Sequence, residues 1–284
     1  MDPTPSPPAQ APDQGVEYCY GHPNTPTRLH SSRCERPICG RCAIPASVGQ
    51  HCPECVAEAR RSAPRVRTAM MASAPAVTVI LVVNVVFFFL QQFVPGLTER
   101  LYLQPIQIAA GEWWRLLTPI VLHGGLLHLF FNCYVLFMLG PNIEQAFGTA
   151  RFLAMYVTAG LLASAFSFAF PPDVASLGAS GSIFGIAGVL FVYLLKRRRS
   201  QFVRGYLRQI AFFIGINLLL GFSGILPIDN YAHIGGLVGG LILGFGYDRD
   251  DAIAQVTSVL ATLVVMGLTL LLVAGRIGGL GPFG

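Results

Sequence analysis

Charged residues are scarce in this chain of 284 residues, and their scarcity argues against most soluble folds. Asp, Glu, Lys and Arg make up 12% of the sequence, whereas hydrophobic residues make up 53%. A soluble globular domain carries about 25% charged residues. The net charge of +5 is modest and comes from short basic clusters, so we expect no nucleic-acid partner. The composition instead indicates a protein embedded in the lipid bilayer.

A long apolar run is missing from the first 70 residues, so we expect no signal peptide there. Residues 1–16 are rich in Pro, Gln, Ala and Asp, a composition typical of a disordered tail. Residues 58–73 contain several arginines and indicate a basic linker that lies on anionic headgroups. We therefore expect the membrane-embedded part to begin near residue 74.

Seven apolar segments follow, and a helix needs about 20 mostly apolar residues to cross the hydrocarbon core. The fourth segment is short, which favours a helix enclosed by others with one end in a water-filled cavity. The seventh could lie in the interface, but its Leu, Val and Met content favours a spanning helix. The sequence predicts an all-α polytopic membrane protein. The segments are Ala74 to Val94, Leu116 to Leu139, Phe152 to Phe170, Ser180 to Leu195, Ile210 to Leu226, Tyr231 to Tyr247 and Val256 to Ala274.

The distribution of Lys and Arg predicts the orientation. Arginines cluster before the first segment, and a basic run at 196–199 follows the fourth, whereas residues 171–177 and 227–230 contain neither Lys nor Arg. Because basic residues favour the cytoplasmic side, the N-terminus is predicted to be cytoplasmic. The fourth and sixth segments then begin near the outer face, and a seventh span places the C-terminus outside.

A cysteine- and histidine-rich stretch precedes the membrane segments and holds six of the seven cysteines. Ligands two residues apart let one tight turn present both to the same tetrahedral zinc ion. Four pairs supply enough ligands for two zinc ions, and a cytosolic location disfavours the alternative of disulfides. The pairs are Cys19-x2-His22, His30 with Cys34, Cys39-x2-Cys42 and Cys52-x2-Cys55.

Residues 17–57 resemble the small B-box-type zinc domain found ahead of some actinobacterial membrane proteases. That resemblance implies a cross-brace, in which the first and third pairs hold one ion and the second and fourth pairs hold the other. Ser31 stands where the pattern has its third ligand, so His30 is the expected substitute and His51 its rival. We expect a structural zinc module that binds a protein partner or regulates the membrane part. The implied sets are Cys19, His22, Cys39 and Cys42, and His30, Cys34, Cys52 and Cys55.

The second apolar segment carries polar side chains at helical spacing. His128 and Asn132 are four residues apart and project from one helix face, with His123 one turn or more before them. Polar groups at membrane depth are costly and face a cavity or a partner. Interhelical hydrogen bonding is the alternative role, and a catalytic role requires a reacting centre opposite this face.

The fourth segment opens with the sequence SLGASGSIFGIAG, which offers three candidate nucleophiles, Ser176, Ser180 and Ser182. Each could instead cap the helix. Small neighbours, Gly178 and Gly181 among them, leave Ser180 unshielded. At the start of a helix, backbone N–H groups and the positive end of the dipole also point at a developing oxyanion.

The sixth segment places His233 near a helix N-terminus, where Asp229 or Asn230 can cap the helix. This location disfavours the cationic imidazole, and a neutral imidazole is what a general base requires. Glycines four residues apart, including Gly236 and Gly240, form a smooth stripe that allows close packing. If this stripe meets the glycines of the fourth segment, His233 approaches Ser180.

Five motifs together resemble the rhomboid family of intramembrane serine proteases, over roughly Ala74 to Tyr247. Each motif alone is weak, but their order and their placement on successive segments are specific. They are Trp114-Arg115, His123 with His128-x3-Asn132, Glu144-x3-Gly148, Gly178-Ala179-Ser180-Gly181 and Ala232-His233-x2-Gly236.

The resemblance implies a dyad of Ser180 as nucleophile and His233 as base. It further implies an oxyanion hole formed by His128, Asn132 and the Ser180 backbone N–H, with Phe184 packed on the histidine. The implied fold is a six-helix core over residues 74–250, a seventh transmembrane helix over 251–275 and a short tail over 276–284.

The expected substrates are transmembrane segments of other proteins, cleaved near the outer face of a bacterial plasma membrane. Two alternatives belong to other functional classes. An inactive rhomboid-like protein that binds membrane clients is disfavoured because Ser180 and His233 are both present. A transporter is disfavoured because the segments carry no relay of charged residues.

Overall fold

The computed structural model describes residues 17–46, 48–62, 74–170, 175–225, 227–248 and 253–279. The predicted disordered tail at 1–16 and most of the predicted linker and C-terminal tail lie outside these residues. The chain divides into two compact units, Met1–Ala69 and Met70–Gly284.

The described residues of the N-terminal unit form two small antiparallel hairpins and one helix. Strand β1 (Glu17–Cys19) pairs with β2 (His22–Thr27), and β3 (Ile44–Pro45) pairs with β4 (Gln50–His51). Helix α1 (Pro53–Ser62) follows and extends through the first residues of the predicted linker. The buried core consists of Ile38 and five cysteines. So small a core needs a further source of stability, such as a metal ion.

The described part of the second unit is helical. Two 3₁₀ turns, Trp113–Leu116 and Thr118–Val121, precede the second long helix. The helices are α2 (Pro75–Phe93), α3 (Leu97–Leu101), α4 (Pro105–Ala109), α5 (Leu126–Phe147), α6 (Thr149–Ala169), α7 (Ser180–Lys196), α8 (Gln201–Phe222), α9 (Asn230–Tyr247) and α10 (Ala254–Ile277).

The helices confirm the predicted all-α polytopic fold. Within the described residues, α2, α5, α6, α8 and α10 are long and apolar enough to cross a membrane, and α7 is a shorter apolar helix. Helix α7 lies in the centre of the bundle, where every residue from Gly181 to Leu190 is buried. This location agrees with the prediction that the short fourth helix is enclosed by others.

The predicted second span, Leu116 to Leu139, is wrong at both ends. Helix α5 begins at Leu126 and continues to Phe147, with Pro141 inside it. Pro119 lies in the 3₁₀ turn before the helix, and extended backbone at Gly125 separates that turn from α5. The apolar composition of residues 116–125 therefore belongs to a folded segment ahead of the helix.

Glycine contacts bring α7 and α9 together backbone to backbone. A Cβ atom added at Gly236 would overlap the carbonyl oxygen of Gly181, and one added at Gly240 would overlap that of Gly185. The two glycine stripes expected from the sequence therefore face each other. This contact fixes the depth of the start of α7 relative to the start of α9.

Candidate active site

Ser180 is the first residue of α7 and is half-buried. The preceding loop is held on both sides, because the Gly178 N–H donates to the Pro119 carbonyl at 2.9 Å and Ser176 forms a β-bridge with Leu103. Gly178 has a φ of +135°, a backbone angle that residues with a side chain rarely adopt. The loop thus presents Ser180 at a helix N-terminus, with Ala179 and Gly181 as its small neighbours in the chain.

The backbone at the start of α7 offers N–H donors that no carbonyl of its own helix uses. The first helical hydrogen bond of this region runs from the Ile183 N–H to the Ala179 carbonyl at 3.0 Å. The N–H groups of residues 180–182 therefore precede the helical ladder. Such groups at a helix N-terminus suit an anion.

The other two candidate serines occupy different surroundings. Ser182 is fully buried against Gly160, where an added Cβ would overlap its hydroxyl. Ser176 is held by its backbone bridge to Leu103. Of the three serines, Ser180 is the one that lies at the helix start beside the His128 ring described below.

His233 is buried in the first turn of α9. Asp229 caps this helix, since its side chain accepts a hydrogen bond from the Ala232 N–H at 3.0 Å and from the Ser167 hydroxyl. The His233 N–H donates to the Asp229 carbonyl at 3.2 Å. Within the described residues, His233 Nδ1 has no hydrogen-bond partner.

Phe184, on α7, contacts His233, on α9, and so links the predicted fourth and sixth segments at the site. Its ring stacks on His233 with a centroid distance of 4.1 Å and an interplanar angle of 11°. Gly181 follows Ser180 in the chain, and Ala232 precedes His233. A Cβ added at Gly181 would lie 3.5 Å from the Ala232 carbonyl oxygen. Ser180 and His233 therefore occupy adjacent helix starts at the same level of the α7–α9 contact.

His128 faces the same loop from α5. Its Nδ1 accepts a hydrogen bond from the Gly124 N–H at 3.2 Å, so a neutral ring carries its proton on Nε2. A Cβ on Gly178 would lie 2.9 Å from His128 Nε2 and 3.7 Å from the Ser180 hydroxyl. His128 thus holds an N–H donor beside the Ser180 loop.

Asn132 and His123 support His128 from two sides. The Asn132 side-chain amide donates to the His128 carbonyl at 2.9 Å, and the residue is buried. His123 packs edge-on against the His128 ring at 5.3 Å between centroids. Both therefore lie in the predicted cluster, with one Asn132 N–H already engaged within its own helix.

Gln91 is a contributor that the sequence did not identify. Its side-chain carbonyl accepts from the His123 N–H at 3.0 Å, and its amide donates to the His123 carbonyl at 3.3 Å. A glutamine on an apolar helix was the signal in the sequence that could have indicated this role. Its partner, His123, lies 32 residues away, so the sequence did not identify the contact. Gln91 anchors the segment that positions the two histidines.

In the N-terminal unit, one cysteine–histidine cluster suits a tetrahedral metal ion. The ligand atoms of Cys19, His22, Cys39 and Cys42 all lie within 4.8 Å of one another. The Cys19 and Cys42 sulfurs are 3.7 Å apart, and a tetrahedral zinc ion with bonds of about 2.3 Å separates its sulfur ligands by about 3.8 Å. This set fits a structural zinc ion.

The second cluster contains Cys34, Cys52 and Cys55 but not the predicted His30. His30 instead pairs with the Glu17 carboxylate on the surface. His51 lies in β4 and is likewise not among the clustered ligands. Several hydrogen bonds, of which that to Ser31 contributes most, lower the pKa of Cys34 to about 7, and thiolates are the form that binds metal.

Comparison with known proteins assigns the family. A family model described as a rhomboid domain matches residues 110–249. Putative rhomboid protease YdcA of Bacillus subtilis is 37% identical over 139 residues, which cover 49% of this chain and 69% of that protein. The chain belongs to the rhomboid family. It is accordingly a multi-pass membrane protein with a helical rhomboid core.

Other rhomboid relatives match over smaller shares of their length. Rhomboid protease GluP of Bacillus subtilis is 44% identical over 161 residues, 57% of this chain but 31% of that protein. Rhomboid protease AarA of Providencia stuartii is 28% identical over 190 residues, 57% of this chain and 66% of that protein. The chain thus spans about a third of GluP and about two thirds of AarA.

Proposed function

We propose that this rhomboid is an intramembrane serine endopeptidase with Ser180 as nucleophile and His233 as base. The observation that carries the proposal is the stack of Phe184 on His233, one turn below Ser180. In this stack the His233 imidazole lies against α7, near the half-buried hydroxyl of Ser180 at the start of that helix. Relatives named rhomboid proteases support the same activity.

In the proposed reaction, Ser180 attacks the scissile carbonyl of a peptide bond. His233 takes the hydroxyl proton as the bond to carbon forms, and later donates it to the departing amine. Water then attacks the acyl-enzyme and His233 accepts its proton. His233 returns this proton to the Ser180 oxygen as the ester bond breaks, and the second product leaves as a carboxylic acid. The reaction requires no carboxylate as a third catalytic residue, because the Phe184 ring and the Asp229 cap orient His233.

The developing oxyanion has two sources of stabilisation. The backbone N–H groups at the start of α7 supply aligned donors. His128 supplies an Nε2–H, because its Nδ1 is occupied by Gly124. The second amide hydrogen of Asn132 is a further donor one turn deeper.

The proposed substrates are transmembrane segments of other proteins. A site at the starts of α7 and α9 is reached laterally by a chain lying in the bilayer. That chain must unwind locally, because helical backbone buries its carbonyls. We expect cleavage near the outer face of a bacterial plasma membrane, with the N-terminal unit in the cytoplasm as a two-zinc module that contacts a protein partner.

Reconstitution with a model transmembrane substrate tests the activity. Wild-type protein should cleave the substrate, and Ser180→Ala should abolish cleavage while the protein remains folded. Ser176→Ala is the matched control, because it removes a hydroxyl four residues away and should keep cleavage. Cleavage that survived Ser180→Ala would refute the assignment of the nucleophile.

A further inference from the structure

The second cysteine cluster in the N-terminal unit has the geometry of a metal site but supplies three thiols rather than four ligands. The Cys34 and Cys52 sulfurs are 3.7 Å apart, close to the separation of about 3.8 Å for thiolates on a tetrahedral zinc ion. The Cys55 sulfur lies within 4.8 Å of both. A fourth donor is needed to close the tetrahedron.

Ser31 is the residue placed to supply that donor. It precedes Cys34 by the same two-residue gap that separates the partners in the other three pairs. Its side chain is fully buried. Its oxygen accepts a hydrogen bond from the Cys52 N–H at 3.1 Å and lies 3.9 Å from the Cys55 sulfur.

The hydroxyl of Ser31 retains the capacity to bind a metal ion. A serine oxygen has two lone pairs, and the Cys52 N–H uses one of them. The second lone pair is free for a metal ion, in which case the hydroxyl proton turns away from the Cys55 sulfur. His30 does not compete for this position, because its ring is paired with Glu17.

We propose that Ser31 completes the second site as a three-thiolate, one-hydroxyl zinc centre, which binds its ion more weakly than the first. A neutral hydroxyl donates less charge to the metal than a thiolate or an imidazole does, so the two sites differ in affinity. The first ion is then permanent, whereas the second exchanges with the surrounding zinc supply.

The weaker site controls how helix α1 is held. Cys52 and Cys55 flank the first residues of α1, and the metal links them to Cys34 on a separate loop. Apart from the hydrogen bond of the Cys52 N–H to the Ser31 oxygen, the contacts of this helix start include an Arg36–Glu54 ion pair on the surface and a long hydrogen bond from Arg33 to the Cys55 carbonyl at 3.4 Å. Loss of the second ion should therefore loosen the start of α1 and leave the β1–β2 hairpin in place.

Zinc counting on the full-length protein in detergent tests the assignment. We expect two ions per chain, one of which is removed by a chelator concentration about 10-fold or more below that needed for the other. Ser31→Cys should raise the affinity of the weaker site to that of the tighter one, and Ser31→Ala should weaken it further. His30→Ala is the matched control and should change neither ion.

Cobalt substitution supplies a readout that depends on whether Ser31 binds the metal. A Ser31 with a purely structural role would leave this readout unchanged when it is replaced. Wild-type protein offers six thiolates to two Co²⁺ ions, so Ser31→Cys should raise the sulfur-to-metal charge-transfer absorbance by about one sixth. Unchanged spectra and affinity in Ser31→Ala would overturn the proposal, as would loss of the second ion in His30→Ala.

Hydrogen exchange should show α1 losing protection when only the weaker ion is stripped. None of these outcomes depends on peptidase activity.

Discussion

At the scale of single residues, a hydrogen bond to a ring nitrogen decides what His128 can do. Because Gly124 donates to Nδ1 at 3.2 Å, the proton of the neutral ring is on the nitrogen that faces the Ser180 loop. The sequence indicated His128 and Asn132 through their spacing. It could not indicate the tautomer, because that depends on how the Gly124 backbone turns back towards the ring.

Phe184 is predicted to position His233. Phe184→Ala removes the ring that stacks on the imidazole, and an aromatic contact is worth about 0.5–1.5 kcal/mol. We expect the cleavage rate of a model substrate to fall about 10-fold, whereas Phe184→Tyr should keep most of it. An alanine variant as fast as wild type would show that the stack does not orient the base.

Gly178 is predicted to tolerate no side chain. An added Cβ would lie 2.8 Å from His128 Cε1, and the backbone φ of +135° is strained for any other residue. Gly178→Ala should lower the cleavage rate about 100-fold by displacing His128. Gly205→Ala, on α8 with open space around it, is the control and should cleave normally. Equal rates in the two variants would contradict this assignment.

At the scale of secondary-structure elements, the α7–α9 contact holds the site together. The four-residue glycine spacing predicted this contact, because glycine stripes admit close backbone approach whatever the rest of the fold. The partners of two other side chains could not be identified from the sequence. The Glu144 carboxylate accepts hydrogen bonds from the Ala76 and Val77 N–H groups at the start of α2, which lie 68 and 67 residues away in the chain. The Arg115 side chain donates to two backbone carbonyls.

Gly240→Ala should separate the two helices. The added Cβ would overlap the Gly185 carbonyl oxygen, and overpacking costs about 1–3 kcal/mol or more. Thermal unfolding in detergent should show a lower midpoint and a loss of cleavage. Gly267→Ala on α10, where the space is open, should leave the midpoint unchanged or raised. A Gly240→Ala protein as stable as this control would argue against close α7–α9 packing.

The limits of the sequence are also clear at this scale. Regular helices such as α6 were predicted within a few residues, because continuous apolar composition determines them. The start of α5 was misplaced, since the 3₁₀ turn over Thr118–Val121 is as apolar as the helix that follows. The position of His30 outside the thiol cluster could not be predicted, because spacing does not reveal that Glu17, on β1, pairs with its ring.

At the scale of the whole molecule, two compact units share one chain. The proposed chemistry of the second unit requires a hydroxyl and an imidazole, whereas the N-terminal unit is proposed to hold zinc. Stripping zinc with a chelator should therefore unfold the N-terminal unit, seen as increased protease sensitivity of residues 17–62, and leave cleavage of a model substrate unchanged in detergent. Inhibition by the chelator that zinc restores would contradict this independence.

The central claim is that Ser180 is a nucleophile activated by His233. The most direct measurement is labelling of the reconstituted protein with a fluorophosphonate probe, followed by mass spectrometry of the labelled peptide. We predict one adduct on Ser180 in the wild type, none in Ser180→Ala and a greatly slowed reaction in His233→Ala. An adduct on another serine, or full labelling of Ser180 without His233, would contradict the claim.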